Sequence, residues 1–285
     1  MQKELIKNKA LISVRDLTLA YNSYIVLKDL SFTIDRGDVF IIMGGNGCGK
    51  STLLKFMIGL KPSVKGEVFY DDINFWNADP HTRNRILKRV GILYQRNALW
   101  SSMTLAENVA LPLEEYTDLG AKQISEIVSL KLSLVGLTGF EDLFPSELSG
   151  GMQKRAALAR AMALDPEILF FDEPSAGLDP INARLLDDLI LELSDSLKTT
   201  VVVITHDLAS IFAIGQKSIF LDHETKTILA FGNPKDLLEN SQDPKVRTFL
   251  TRGQPEPGKS TFAACFSDYL SEERKRIRRD DQQTK

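Results

Sequence analysis

The sequence predicts an α/β fold in which helices cover both faces of a parallel sheet. Two kinds of segment alternate along the chain: short, unbroken apolar runs and stretches with helical periodicity. The apolar runs at residues 39–43, 168–172 and 200–205 are typical of strands that are buried on both faces. Because strands that alternate with helices form parallel sheets, these runs predict the core of the fold.

An antiparallel β subdomain is predicted beside this core. Residues 13–19 and 30–34 alternate apolar and polar side chains, which is the pattern of half-buried antiparallel strands. Residues 67–70 again have strand character. These segments therefore predict a small antiparallel unit near the N-terminus.

The buried strand at 39–43 continues into a glycine-rich loop and then a helix. Residues 52–58 predict this helix, which Gly59 ends. A further short buried strand at 91–94 is closed by Gln95. The loop is therefore expected between a buried strand and a helix.

A helical subdomain is predicted over about residues 100–165. Apolar residues recur there at helical spacing: Leu105, Val109 and Ala110, then Ile124, Ile127, Val128 and Leu132. Buried strands resume after this insert, and residues 218–221 and 227–230 predict a hairpin. We expect one domain over residues 1–250, followed by a linker and a charged C-terminal tail over 251–285.

Composition and charge exclude several classes of protein. The chain has 285 residues, and its net charge of -3 argues against nucleic acid as a partner. No apolar run approaches the roughly 20 residues that a membrane-spanning helix needs, and residues 1–7 carry no secretory apolar segment. Cys48 and Cys265 make no disulfide framework, which fits a reducing cytosol.

Residues 44–51 satisfy the pattern Gly-x4-Gly-Lys-Ser of a phosphate-binding loop, which predicts the P-loop NTPase (RecA-like) class of α/β core. Glycines let main-chain N–H groups turn toward phosphate oxygens, and the next helix points its positive dipole end at them. Lys50 is expected to reach the β- and γ-phosphates, and the Ser51 hydroxyl to ligate Mg²⁺. The residues of the loop expected to bind the nucleotide phosphates are Gly44, Gly45, Asn46, Gly47, Cys48, Gly49, Lys50 and Ser51.

Two features related to this loop need separate interpretation. Cys48 is either a thiol that ionises readily near a helix N-terminus and a lysine, or a small residue that simply fits. Residues 253–260 repeat the loop pattern, but no buried strand precedes them. Pro255 and Pro257 also remove two N–H donors, so this second match is interpreted as linker.

Two further segments carry candidate chemistry. Asp172 ends the apolar strand at 168–172, where open α/β sheets bind ligands, and Glu173 follows it as a candidate general base. The run Leu-Ser-Gly-Gly-Met at 148–152 begins a strongly helix-forming segment, with Ser149 as a good N-cap. The alternatives are a solvated turn and an ordinary capped helix, respectively.

Taken in order, these three motifs resemble the ATP-binding cassette (ABC) family over about residues 8–250. The resemblance implies an ATPase that works as a pair, in which each ATP lies between the Lys50 loop of one copy and Ser149, Gly150 and Gly151 of the other. It implies that Asp172 holds Mg²⁺ through water, and that Gln95 touches Mg²⁺ and the attacking water. The remaining implied contacts are Thr52 with the α-phosphate, His206 with the γ-phosphate, Tyr21 (or Tyr24) with adenine, and Asp179 of the D-loop at 175–179 with the dimer interface.

A finer resemblance is to the ATPase subunits of Mla-type phospholipid transporters. It is carried by Met152 and by the segments 107–113 and 243–250. It implies a peripheral protein on the cytoplasmic face of the inner membrane, with permease subunits and an MCE-domain lipid-binding protein as partners, that maintains outer-membrane lipid asymmetry. An ATPase of another importer, for amino acids or ions, remains an alternative, as does a soluble ABC protein acting on ribosomes or DNA.

The sequence also suggests a segment that could transmit the motion of such an ATPase to a membrane partner. Leu99, Trp100 and Met103 are bulky apolar residues in the segment after Gln95. They either form a groove for a helix of a membrane partner or pack into the core of the helical subdomain.

Overall fold

The computed structural model describes residues 10–253 and contains two sheets with helices around them. Its strands are β1 (Ala10–Tyr21), β2 (Tyr24–Asp35), β3 (Val39–Gly44), β4 (Lys65–Tyr70), β5 (Ile73–Asn74), β6 (Val90–Leu93), β7 (Ile168–Asp172), β8 (Thr200–Ile204), β9 (Lys217–Leu221) and β10 (Ile228–Gly232). Its α-helices are α1 (Lys50–Met57), α2 (Pro80–Leu87), α3 (Leu105–Tyr116), α4 (Ala121–Leu134), α5 (Gly150–Ala161), α6 (Pro180–Leu197), α7 (Leu208–Ile214), α8 (Pro234–Asn240) and α9 (Pro244–Leu250).

The larger sheet has the strand order β10-β9-β3-β8-β7-β6. Its pairs are parallel except for β9 with β10, which form the expected hairpin. The carboxyl ends of β3, β6, β7 and β8 therefore lie along one edge. In such sheets, ligands bind outside this edge.

The smaller sheet is antiparallel and has the order β2-β1-β4-β5. Strands β1 and β2 form a long hairpin in which Tyr21 pairs with Tyr24 next to the turn. Val14 of β1 also pairs with Val68 of β4. The alternation in residues 13–19 and 30–34 thus corresponds to one buried face of this sheet.

Strand β3 is buried along its whole length and separates two apolar cores. Val39, Ile41 and Met43 pack into the core shared with α3–α6. Phe40 and Ile42 pack into the core shared with the antiparallel sheet and α1. Since successive side chains of a strand point to opposite faces, an unbroken apolar run is what two cores require.

Helices α3, α4 and α5 follow β6 and precede β7, in the part of the chain predicted to be helical. The apolar residues at helical spacing are buried on α3 and α4, except Ile127, which is half-buried. Thr104 and Glu107 form a capping box that begins α3. The sequence interpretation did not specify α2, whose only buried residue is Ile86, because one apolar contact leaves little periodicity to detect.

Within residues 10–253, no helix combines the length and the apolar character that crossing a membrane would require. The predicted linker and charged tail, together with Cys265 and nearly all of the second loop match at 253–260, lie outside the described residues.

Candidate nucleotide-binding site

The glycine loop after β3 contains positions that would not tolerate a residue other than glycine. Gly44 has a φ of 149°, and a Cβ there would lie 2.3 Å from the carbonyl oxygen of Leu221. Gly49 has a φ of 101° and occupies the N-cap of α1. Because only glycine adopts such angles without strain, the loop can curl around the N-terminus of α1, where main-chain N–H groups are free to bind an anion.

Lys50, the first residue of α1, is directed into this loop. Its side chain is buried, and Nζ donates hydrogen bonds to the carbonyl oxygens of Gly44 at 2.8 Å and Gly45 at 3.1 Å. Nζ also lies 4.0 Å from Oε1 of Glu173. The structure therefore brings the lysine of the loop together with the carboxylate predicted to be the general base.

Asp172, the last residue of β7, lies across from the loop. Its Oδ1 accepts a hydrogen bond from the Ser51 hydroxyl at 3.3 Å. Burial raises the pKa of the Asp172 carboxyl, the Ser51 bond opposes this, and the charge of Glu173 raises it further. A hydroxyl and a carboxylate whose charge is poorly solvated fit Mg²⁺, which takes a few protein oxygens and completes its shell with water and phosphate.

Glu173 has a strained main chain. Its φ is 50°, and its N–H donates to the carbonyl oxygen of Ile204 at 2.8 Å. A non-glycine residue in this region costs about 1–3 kcal/mol, and such residues cluster at functional sites. The side chain lies beside His206, whose Nδ1 is 2.8 Å from Oε1 of Glu173.

A cavity of about 490 Å³ opens beside this pair. It is lined by Glu173, Ser175, Ala176, His206, Asp207, Leu208, Phe249 and Arg252. The D-loop, the histidine and the end of α9 thus border one space next to the candidate base.

Gln95 follows β6 at the same edge, and its side chain is exposed. Its carbonyl oxygen accepts a 2.7 Å hydrogen bond from Nζ of Lys154, a buried lysine on α5. Burial lowers the pKa of Lys154, whereas the charges of Asp172 and Glu173 raise it. The sequence interpretation missed this contact, because α5 also carries Gln153, Arg155 and Arg160 and nothing in its sequence singles out Lys154 as the buried cation.

Ser149 is the N-cap of α5 and accepts a hydrogen bond from the N–H of Met152 at 3.3 Å. Within residues 10–253, no hydrogen bond or ion pair joins Ser149, Gly150 or Gly151 to the glycine loop. Gly151 lies instead against Asn182, since a Cβ on it would be 3.1 Å from Oδ1 of that residue. In the single chain, therefore, Ser149 is not brought to the Lys50 loop by any such contact.

Asp179 caps α6 beside this element. Its Oδ1 accepts hydrogen bonds from the N–H groups of Ile181 and Asn182, both at 3.0 Å. The side-chain bond from Asn182 is the main reason that the pKa of Asp179 lies below its ordinary value. The D-loop thus ends at an exposed, negatively charged cap.

Tyr21 and Tyr24 are both exposed, at 44% and 63%. Nζ of Lys61 lies 3.9 Å from the ring centroid of Tyr21, and Nζ of Lys226 lies 4.2 Å from that of Tyr24. As both rings are accessible and each has a cation on one face, the choice between them as the adenine-stacking residue stays a prediction.

Cys48 is buried, with 1% of its surface exposed. Burial raises the pKa of its thiol more than Lys50 lowers it. This favours the interpretation of Cys48 as a small residue that fits against Gly44, where a Cβ would lie 2.8 Å from Sγ.

The structure supports core packing for one apolar residue of the segment after Gln95 and accessibility to a partner for another. Leu99 is half-buried and packs against the core that includes the helical subdomain. Trp100 is 58% exposed, so it remains accessible to a partner. Arg160 holds this segment through hydrogen bonds to the carbonyl oxygens of Ala98 at 2.6 Å and Asn97 at 3.2 Å.

A parallel sheet with a glycine loop, a helical insert and an antiparallel subdomain is the architecture of an ATP-binding cassette. Residues 27–176 match the family described as ABC transporter, and the chain belongs to this family. The predicted fold class is confirmed by the likeness to solved cassettes. One of these is the dimeric post-hydrolysis state of the ATP-binding cassette MJ0796 bound to ADP and Pi, with a TM-score of 0.71 and 29% identity over 78% of this chain and 98% of that chain.

Among members of this family, the chain is similar to ATP-binding proteins of phospholipid transport systems. The chain is 37% identical over 265 residues to the intermembrane phospholipid transport system ATP-binding protein MlaF of Haemophilus influenzae, covering 93% of this chain and 98% of the relative. It is 40% identical over 240 residues to the MlaF protein of Escherichia coli K12, covering 84% and 88%. The finer resemblance seen in the sequence is thus confirmed as a similarity.

Proposed function

We propose that this chain is the ATP-hydrolysing subunit of a phospholipid transporter, and that two copies bind ATP between them. The observation that carries the ATPase part is the convergence at one sheet edge of Lys50, Ser51, Asp172, Glu173 and His206. The lipid part is supported by the similarity to two MlaF proteins.

Phosphate binding is assigned to the glycine loop and Lys50. Nζ of Lys50 donates hydrogen bonds to two carbonyl oxygens of its own loop, and a phosphate oxygen can replace these neutral acceptors. The N-terminus of α1 adds its free N–H groups and its dipole. The loop therefore offers a concentrated positive potential to a triphosphate.

Hydrolysis is assigned to Glu173, held by His206. A carboxylate accepts a hydrogen bond from the attacking water and orients it in line with the γ-phosphate. The 2.8 Å contact with His206 fixes the orientation of this carboxylate. Ser51 and Asp172, with Gln95 as the family resemblance implies, would hold Mg²⁺, which neutralises charge that develops on phosphate oxygens.

A second copy completes the site in this proposal. Ser149, Gly150 and Gly151 begin helix α5, and in the single chain Gly151 lies against Asn182 rather than the loop. Two copies related by a two-fold axis would place each such element on the other's ATP. Nucleotide then stabilises the closed pair by its differential affinity for the closed and open states.

The partners follow from the transport assignment. We expect permease subunits that bind the segment containing Trp100, an MCE-domain lipid-binding protein in the same complex, and a peripheral position on the cytoplasmic face of the inner membrane. ATP-driven change between open and closed pairs would then move the permease.

The ATPase part is tested with Glu173→Gln and Lys50→Ala. With ATP and Mg²⁺, Glu173→Gln should bind nucleotide, show no turnover and elute as a stable dimer in size-exclusion chromatography with light scattering. Lys50→Ala is the matched control and should neither bind ATP nor dimerise. A wild-type hydrolysis rate in Glu173→Gln, or a rate per molecule that does not depend on protein dilution, contradicts the proposal.

The lipid part is tested separately by purifying the chain from membranes. A co-purifying permease whose reconstituted complex moves labelled phospholipid between vesicles only with ATP supports it. A complex that instead moves an amino acid or an ion, and no lipid, refutes the lipid assignment and leaves the ATPase assignment standing.

A further inference from the structure

A buried carboxylate lies beneath the segments that flank the candidate base. Asp187 is on α6 and is 3% exposed. Its Oδ2 accepts a 2.9 Å hydrogen bond from the hydroxyl of Ser210, whereas its buried Oδ1 has no hydrogen-bond partner within the described part of the chain. Since buried acidic groups are costly unless fully paired, this half-paired carboxyl needs a physical explanation.

Ser210, on α7, is shared between two carboxylates. Its Oγ lies 2.9 Å from Oδ2 of Asp187 and 3.3 Å from Oδ2 of Asp207. A hydroxyl has one hydrogen and can serve only one of them at a time. If Asp187 is ionised, it competes with Asp207 for that hydrogen; if Asp187 is protonated, it donates to Ser210, and Ser210 is free to donate to Asp207.

Asp207 connects this cluster to the candidate site. It follows His206 directly and caps α7, accepting from the N–H of Ala209 at 3.1 Å. Its Oδ2 also accepts from the hydroxyl of Ser175 at 3.4 Å, at the start of the D-loop. The hydrogen bonds that begin at Asp187 therefore reach both the histidine segment and the D-loop.

The charges around Asp187 support a proton at this position. Burial raises the pKa of Asp187 to about 6, the bond from Ser210 opposes this, and Asp207 raises it further. On α6 itself, Arg184 lowers the pKa and Asp188 raises it. The carboxyl therefore changes its charge within the range of pH in which ATPases are assayed.

Apart from Asp207, which caps α7, the elements that pack against α6 most closely (α5, α7 and β8) contain no acidic residue. Strand β8 and helix α7, which pack against α6, are made of uncharged residues. The cations of α5, which also packs there, donate to main-chain carbonyls: Lys154 to Gln95, Arg155 to Val135 and Arg160 to Ala98.

We propose that Asp187 is a positioning residue for His206 and the D-loop, because the proton on its carboxyl decides whether Ser210 holds Asp187 or Asp207. With the proton present, an unbroken chain runs from Asp187 through Ser210 to Asp207 and fixes the start of α7. Without it, Oδ2 of Asp207 keeps only the longer bond from Ser175 while Oδ1 still accepts from the N–H of Ala209, and the histidine segment is less firmly held. The inference rests on the proposed ATPase function, since His206 matters only if the chain hydrolyses ATP.

The test compares kcat and KM for ATP between about pH 5.5 and about pH 8 in the full-length chain. Asp187→Asn keeps the shape of the side chain and always offers a donor to Ser210, so it imitates the protonated carboxyl. Its kcat should equal the wild-type value near pH 5.5 and exceed it at least about threefold near pH 8, with an unchanged KM. Ser210→Ala breaks the chain, so Ser210→Ala and Ser210→Ala/Asp187→Asn should share one pH profile.

Asp188→Asn is the matched control, because Asp188 is the exposed neighbour on α6 and bonds Arg184 at 3.0 Å. Its pH profile should parallel that of the wild type. Parallel profiles for Asp187→Asn and wild type overturn the inference, as does the same change in Asp188→Asn. If Asp187→Asn does not fold, as judged by circular dichroism, a wild-type profile in Ser210→Ala overturns it.

A chain that hydrolyses no ATP at any pH refutes the proposed function. The hydrogen-bond relay from Asp187 through Ser210 to Asp207 is then tested by NMR of the His206 ring. Ser210→Ala changes no charge, so a shift in the His206 titration that it shares with Asp187→Asn must be carried by hydrogen bonds. Unchanged titrations in both variants overturn the relay.

Discussion

Replacing Asp187 by asparagine should stabilise the folded chain, and the gain should grow as the pH rises. The ordinary pKa of this carboxyl is 3.8, and burial raises it to about 6 in the folded chain. Between these two values the folded state binds more protons than the unfolded state, so a rise in pH lowers the free energy of unfolding. Asparagine does not titrate, so a rise in pH does not lower the free energy of unfolding of Asp187→Asn in this way.

The magnitude follows from the two pKa values. A difference of one unit corresponds to about 1.36 kcal/mol, so a shift from 3.8 to about 6 amounts to about 3 kcal/mol once Asp187 is fully ionised near pH 7.5. Near pH 5, where Asp187 of the folded chain is only partly ionised, the corresponding loss of folding free energy is about 1.6 kcal/mol. The advantage of Asp187→Asn should therefore grow by about 1.4 kcal/mol between these pH values, whatever constant offset the amide itself introduces.

Urea unfolding followed by circular dichroism at several pH values measures this difference. Asp188→Asn, at an exposed position, is the control and should show no comparable trend. A difference between Asp187→Asn and wild type that stays constant with pH, or that shrinks as pH rises, refutes the reasoning, because it would mean that folding does not raise the pKa of Asp187.

Three further predictions concern the candidate site. Lys154→Met should lower kcat roughly tenfold with ATP affinity retained, because the 2.7 Å charged bond to the carbonyl of Gln95 is lost; a reduced ATP affinity at wild-type kcat contradicts this. In a Cys265→Ser background, native Cys48 should resist iodoacetamide in mass spectrometry and react once urea is added, since burial raises the pKa of its thiol; rapid native labelling argues against this. Tyr21→Ala should weaken ATP binding about tenfold, more than Tyr24→Ala does, if Tyr21 stacks on adenine; the reverse order in a fluorescent-nucleotide assay would assign that role to Tyr24.

Local patterns in the sequence determined the elements and the family. Strand β3 is recognisable because both of its faces are buried, so the apolar run has no interruption. The glycine loop is recognisable because its conformation demands particular residues, as the φ of 149° at Gly44 shows. These features are short in sequence and depend on near neighbours, and the family and fold class that they predicted are confirmed.

Only the tertiary structure decided which distant side chains meet. Glu173 reaches His206 across 33 positions, Lys154 reaches Gln95 across 59, and Asp187 reaches Ser210 across 23. No periodicity in the sequence records such pairs, because each depends on how two elements pack and on the burial that this packing produces. The same burial raises the pKa of Asp187, a residue that in the sequence resembles any acidic position on a helix.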